Sequence, residues 1–348
     1  MTPNSQTLLS TRLAAVITEV TTAIVAASRS PWTAVSLVVW LGLAVAYPAM
    51  AADEDPGQLV RSNQITIGIG PGIFVGVNRN DASAGIKVWA KSILNEHEHL
   101  TEVETRLFDV PGAIGTALKD GQIDAASVCT EEFLALPPNL KPDTVFLETQ
   151  NHALTLNYVL LVHQDAGIDD VAQLAGLKLV LQANSRTSLA LPWFETLLAQ
   201  HSMGSAEKVL KTLTRIESPS KPILEVFFHA ADACLVTSNV FELACELNPQ
   251  LRKELKVLAV SPAVIPTLFF FRPSYLPQMR DRLESAILSM NETPAGREVL
   301  TVFQSDGMMK CQVSCLESTR QLLAEYDRAR KHQTSGSPPL LPQTAPRG

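Results

Sequence analysis

Five consecutive polar residues, Asn184-Ser185-Arg186-Thr187-Ser188, are the place where this chain's side chains are best arranged to do chemistry. The mostly apolar run before them, Leu177–Leu181, reads as a buried strand, and Phe194, Leu197 and Leu198 after them share one face of a helix. A turn from strand into helix leaves the first N–H groups of the helix without internal partners. Hydroxyls beside those donors complete a site for a small anion. Arg186 adds a fixed positive charge and a planar fork of donors suited to an oxyanion. The same residues equally fit a plain helix cap, with Thr187 or Ser188 supplying the hydroxyl.

The elements around this turn must hold it in place, and their pattern is regular. Strands are predicted at Gln64–Ile69, Val103–Phe108, Ile123–Val128, Thr144–Glu148, Tyr158–His163, Leu177–Leu181, Ala233–Thr237, Val257–Val260 and Leu268–Phe271. Helices are predicted at Ala82–Leu94, Ala113–Lys119, Leu189–His201, Ile223–Phe228 and Val240–Cys245. Three more, near Leu276–Met290, Pro294–Phe303 and Glu317–Arg330, close the chain. Such alternation is the mark of an α/β protein with mostly parallel sheets. A short repeat adds to this. Gly121-Gln122-Ile123-Asp124-Ala125-Ala126 and His229-Ala230-Ala231-Asp232-Ala233-Cys234 each run helix, tight turn, Asp-Ala, apolar strand. Two similar α/β lobes account for it, with ligand bound in the cleft between them at the carboxyl ends of the strands.

Composition narrows the function. Residues 33–47 carry no charge and are dominated by Leu, Val and Ala, Arg12 and Arg29 precede them, and Ala49-Met50-Ala51 follows as a small-x-small cleavage pattern. This is the anatomy of a secretory signal over residues 1–51; otherwise the segment stays as a membrane anchor. Its removal takes Arg12, Arg29 and Glu19, leaving 26 basic against 34 acidic residues. That balance speaks against nucleic acid, which selects a basic face. Residues 331–348, rich in Pro, Ser and Gly near the end, read as a disordered tail. Of five cysteines, Cys311 and Cys315 are the pair predicted to form a disulfide, while Cys129 and Cys234 read as buried thiols. His97-Glu98-His99 reads as a polar helix end rather than a metal site, and no cofactor is expected. Pro71 breaks the Gly68-x-Gly70-x-Gly72 run as a dinucleotide loop. No H-E-x-x-H, G-x-S-x-G or P-loop sequence occurs, so the chain is not expected to be an enzyme.

Three blocks in order resemble the phosphate/phosphite/phosphonate-binding proteins of ABC transporters. They are Leu174-Ala175-Gly176-Leu177-Lys178 with Ser185-Arg186-Thr187-Ser188-Leu189-Ala190-Leu191-Pro192; Ser220-Lys221 with His229-Ala230-Ala231-Asp232-Ala233; and Leu255–Pro262 with Ile265-Pro266. The match runs from about residue 62 to 327. Arg186, Ser188 and Leu189 stand where the family usually carries Thr, Gly and Tyr, and Lys221 where some members carry His.

The resemblance implies a type II periplasmic-binding-protein fold whose lobes are joined by a two-segment hinge. Lobe 1 is then 62–155 plus 262–330 and lobe 2 is 156–261, with hinge segments near Thr155–Tyr158 and Ala259–Pro262. It implies a periplasmic protein that captures a small oxyanion and hands it to a membrane permease. Alternatives on the same fold are the sensory module of a membrane kinase or cyclase and, more remotely, an enzyme. The residues so implicated are Asn184, Ser185, Arg186, Thr187 and Ser188, then Ser220 and Lys221 as a second cradle or another cap. Asp232 follows as a ligand-side carboxylate or a partner of backbone N–H groups at a strand start. Thr130 faces the cleft from lobe 1 or caps the helix begun by Glu131 and Glu132.

Overall fold

Eleven strands among the described residues sort into two sheets, and the chain passes from one to the other twice. The computed structural model describes residues 64–75, 78, 80–82, 84–88 and 102–335. The strands are β1 (Gln64–Ile69), β2 (Glu102–Leu107), β3 (Ala125–Cys129), β4 (Thr144–Thr149), β5 (Tyr158–His163), β6 (Lys178–Gln182), β7 (Thr212–Ile216), β8 (Ala233–Thr237), β9 (Leu255–Val260), β10 (Thr267–Phe271) and β11 (Gly307–Gln312). The helices used below are α1 (Ala113–Lys119), α2 (Thr130–Ala135), α3 (Ala190–Gln200), α4 (Ala206–Val209), α5 (Lys221–Phe227), α6 (Ser238–Leu247), α7 (Gln250–Glu254), α8 (Pro277–Leu288), α9 (Pro294–Val302) and α10 (Glu317–Ser335).

The first sheet has the order β11-β4-β10-β3-β1-β2 and the second β7-β6-β8-β5-β9. Each follows the expected α/β plan with reversed strands among the parallel ones, β5 in the second sheet and both β10 and β11 in the first. β1, β2 and β3 are mutually parallel, as are β6, β7 and β8, but β10 runs antiparallel to β3 and β4, and β5 antiparallel to β8 and β9. β5 and β10 are the strands that follow the two crossings. A strand arriving from the other sheet begins at the edge where its new neighbours end, so it must run against them.

The cores form on the faces of these sheets. Ile65, Ile67 and Ile69 of β1, alternating on one face as the two-residue period of a strand requires, pack with Phe146, Phe271, Leu283 of α8 and Val299 of α9. Ile123, Val128, Phe133, Leu147 and Phe270 fill the opposite face. In the second sheet Leu160, Leu179, Leu181 and Leu235 pack on Trp193 and Phe194 of α3. Cys234 and Val236 turn to the other face, against Ile223 and Val226 of α5.

Several expectations need correction. β7 and β11 were not expected as strands; both are edge strands with mixed polar and apolar residues, so neither carries a strong apolar pattern. Cys311 lies in β11 and Cys315 in the turn after it, and all five cysteines are free thiols. α10 continues to Ser335, so residues 331–335 are helix rather than the start of a disordered tail. The predicted leader, His97-Glu98-His99 and residues 336–348 lie outside the described residues, as does part of the Ala82–Leu94 helix. No described helix is long and apolar enough to cross a membrane.

Candidate functional site

The Asn184–Ser188 turn follows the carboxyl end of β6 and faces the carboxyl edge of the first sheet. Locally it is a capping box. The Asn184 carboxamide oxygen accepts the Thr187 N–H at 3.0 Å, and Thr187 Oγ1 accepts the Asn184 N–H at 3.0 Å. The Thr187 hydroxyl in turn donates to the Gln182 carbonyl at 2.7 Å. Both side chains are therefore engaged in shaping the turn. The cap and the candidate anion site occupy the same residues, and in this arrangement the cap holds the side chains of Asn184 and Thr187.

The other donors of the turn reach across to the first sheet. The Ser185 N–H donates to the Val75 carbonyl at 3.2 Å, and the Ser188 hydroxyl to that of Pro266 at 3.4 Å. Arg186 is 9% exposed. Its Nη2 contacts the Phe303 carbonyl (3.0 Å), the Gln304 carbonyl (2.9 Å), Ser305 Oγ (3.0 Å) and Glu148 Oε2 (3.3 Å). Ser305 Oγ also donates to Glu148 Oε2 at 3.0 Å. Behind the turn Tyr158 donates its phenolic hydrogen to the Arg186 carbonyl at 2.7 Å, and burial pushes the phenol far above its usual range.

The socket for Arg186 is made of unusual backbone. Gln304 has φ 55°, and Asn151 and His152, in the loop after β4, have φ 50° and 60°. Non-glycine residues rarely adopt this left-handed region, and such strain concentrates at functional sites. Asp306 ties the two segments together, accepting the His152 N–H at 3.0 Å and the Thr149 hydroxyl. Beside Arg186 is a polar cavity of about 20 Å³ lined by Glu148, Gln150, Thr155, Asn239 and Thr267, among others. Asn239 Nδ2 donates across it to Gln150 Oε1 at 3.3 Å. The cavity has room for about one water.

Burial raises the Glu148 carboxyl above its ordinary range, against the lowering effects of Arg186 and the Ser305 hydroxyl. Cys129 abuts the same seam. Its thiol meets the Ser188 hydroxyl and is pushed by burial up to about 11. Gly72 lies close opposite it, and a Cβ there would force the Cys129 thiol to move. Thr130 is fully buried; its N–H donates to the Pro266 carbonyl at 2.8 Å, and its Oγ1 has no hydrogen-bond partner. It therefore does not cap α2 through its side chain. The larger groove beyond, about 600 Å³ between α1 and α2, is faced by Glu131 and Glu132 as well as Lys119. Two carboxylates make it a poor match for an anion.

Three expected participants lie apart from the seam. Ser220 and Lys221 are on the correct edge but exposed, and Ser220 makes no side-chain cap. Asp232 is at the opposite end of the second sheet. Its Oδ2 accepts the Lys178 N–H at 2.8 Å, and its own N–H donates to the Lys178 carbonyl at 3.1 Å. Asp124 repeats this in the first sheet, accepting the Thr66 N–H at 3.0 Å, with Arg272 on its other oxygen at 3.0 Å. The preceding turns match too: Gly121 and His229 are both left-handed, at φ 65° and 58°, and both helices end in the same two-bond pattern. The repeat is structural: each carboxylate stitches two parallel strands near their starts, which is the backbone-partner alternative expected for Asp232, at the end of the sheet away from the seam. Sequence reasoning missed Glu148, Gln150, Asn239, Thr267 and Ser305. The signal for Glu148 was a lone carboxylate near the end of an apolar strand, and the others carried none.

Two mixed sheets exchanging a reversed strand at each of two crossings, with their carboxyl edges facing, define a type II periplasmic binding protein. Solved structures share the fold. A binding protein component of an ABC phosphonate transporter from Pseudomonas aeruginosa aligns with a TM-score of 0.53 at 14% identity, covering 79% of this chain and 90% of that one. PhnD1 from Prochlorococcus marinus, solved in complex with methylphosphonate, aligns with a TM-score of 0.52 at 15% identity over 77% and 99%. A Xanthomonas citri protein bound to ATP gives 0.55 at 14% identity over 78% and 99%. No curated protein matches the chain by sequence. Residues 92–314 match the family of phosphonate periplasmic substrate-binding proteins of ABC transporters, and the chain belongs to that family. It is thus a solute-binding protein by family, a class that works in the periplasm with a small ligand and a membrane permease.

Proposed function

We propose that this protein captures a small oxyanion (phosphate, phosphite or a phosphonate) at the seam beside Arg186 and delivers it to the permease of an ABC transporter, without a catalytic role. The observation that carries the reading is the bonding of Arg186 and Ser185 across the seam. Their donors already hold oxygens on the facing side, namely those of Val75, Phe303, Gln304 and Glu148. An oxyanion offers the same acceptors and can take their place when the seam opens. Thr267 and Asn239, which line the adjoining cavity, add a hydroxyl and a carboxamide. The cavity of about 20 Å³ is smaller than the ligand, so uptake requires hinge motion. Lobes at 62–155 plus 262–330 and at 156–261 fit this reading in their strands, since those on either side of each crossing belong to different sheets, whereas α10 packs Leu322 and Leu323 into the core of the second sheet. Export through a leader at residues 1–51 fits the family's compartment.

Calorimetric titration and thermal unfolding of the full chain with phosphate, phosphite and methylphosphonate test the proposal. At least one should raise the melting temperature, a ligand at a hundred times its Kd contributing about 2.7 kcal/mol. Thr267→Val, which keeps the side-chain shape, should weaken that ligand about tenfold, the scale of one lost hydrogen bond to a charged group. Binding of none of the three overturns the reading.

A further inference from the structure

We infer that the preferred ligand is an amphiphile, an oxyanion bearing an alkyl chain, whose tail occupies an apolar cavity inside the first lobe; this rests on the seam being the head-group site. The cavity, about 100 Å³, lies between the first sheet and helices α8 and α9. Ile69, Ile73, Phe269, Met290, Val299 and Met308 are among its walls, and Ser127, Glu148 and Ser305 are its polar lining residues. Protein interiors pack as densely as organic crystals, so an apolar space of this size forfeits contacts that the surrounding fold could have made. Apolar cavities of such dimensions stay dry and take up small hydrocarbons. Two walls are methionines, whose flexible side chains adapt to an occupant.

The cavity is continuous in its residues with the Arg186 socket. Phe303 supplies a wall of the cavity and a carbonyl to Arg186, and Ser305 lines the cavity while bonding Arg186 and Glu148. Glu148 lines both this cavity and the small polar one, and 22% of its side-chain surface remains open beside them. A ligand that draws Arg186 away from Phe303, Gln304 and Ser305 therefore loosens the partition between the two spaces. The head stays with Arg186 and the chain runs past Glu148 into the apolar space. Inorganic phosphate fills only the first.

Titration of the full chain with methyl-, butyl- and hexylphosphonate, with inorganic phosphate as reference, decides the matter. Each methylene buried should tighten binding about fourfold, so butylphosphonate should exceed methylphosphonate by more than tenfold. Val299→Phe, which fills the cavity, should erase the gain with chain length. If that variant fails to fold, the chain-length series on the parent still decides. Equal affinity for all three phosphonates overturns the inference and leaves the seam reading intact. Binding of neither phosphate nor any phosphonate overturns the seam reading and the inference with it.

Discussion

Asp232 and Arg186 sit at opposite ends of the same sheet, and their partners differ in one respect. Asp232 bonds the first residue of the neighbouring strand, so its contacts lie within one sheet. The Arg186 guanidinium has its contacts in the other half of the molecule, at Glu148 and residues 303–305. A polar group satisfied within its own sheet keeps its partners however the lobes move. One satisfied across the seam loses them on opening and can exchange them for a ligand. Both are candidate ligand residues when taken as types; the location of the partner is what sets Arg186 apart in the proposed reading.

The comparison can be broken most sharply at Arg186. Arg186→Met leaves Glu148 enclosed without its cation, and urea unfolding should show a loss of about 3–5 kcal/mol. Adding Glu148→Gln to that variant should recover part of the loss, and purely additive effects would show the pair to be uncoupled. A smaller effect concerns pH. The folded Glu148 carboxyl holds its proton more tightly than the unfolded one, so the native state binds more protons once pH passes the ordinary value of 4.5. Its contribution to stability is thus greatest below that value and falls as pH rises through the folded pKa. Glu148→Gln should remove this falling component, measured by denaturation across pH 4 to about 8. Smallest of the three, Asp232→Ala should cost about 1 kcal/mol through the orphaned Lys178 N–H. It should leave oxyanion affinity unchanged, and a lost ligand would place the site at the wrong edge.

Much of the fold was legible because apolar periodicity reports burial directly. β1, β5 and β8 appear within the predicted limits, and their interiors are almost wholly buried. β7 and β11 escaped because edge strands expose much of their surface and need no apolar alternation. The Asp124 and Asp232 repeat was visible as a pattern, but its role depends on which end of a strand meets which neighbour, and only pairing and register reveal that. The turn at Asn184–Ser188 was legible as a cap and as a candidate site. Its lobe-bridging arginine was not, since Glu148, Phe303 and Ser305 lie 38, 117 and 119 residues away. No local signal links residues that far apart.

The return crossing between the sheets is not a bare strand of chain. Ser318 and Thr319, at the start of α10, bond the Ala263 carbonyl at 2.6 Å and the Ile265 N–H at 2.9 Å. Leu322, one turn on, is buried in the core of the second sheet against α3. A rod thus lies along one of the two pivots with its far side bedded in the opposite half. The other crossing, after β4, is laced to that pivot: Leu156 and Val264 exchange both backbone hydrogen bonds, at 3.0 and 2.8 Å, and Asn157 Nδ2 donates to the Ser261 carbonyl at 2.7 Å. The two crossings should therefore bend together, as one laced ribbon backed along one side by the rod.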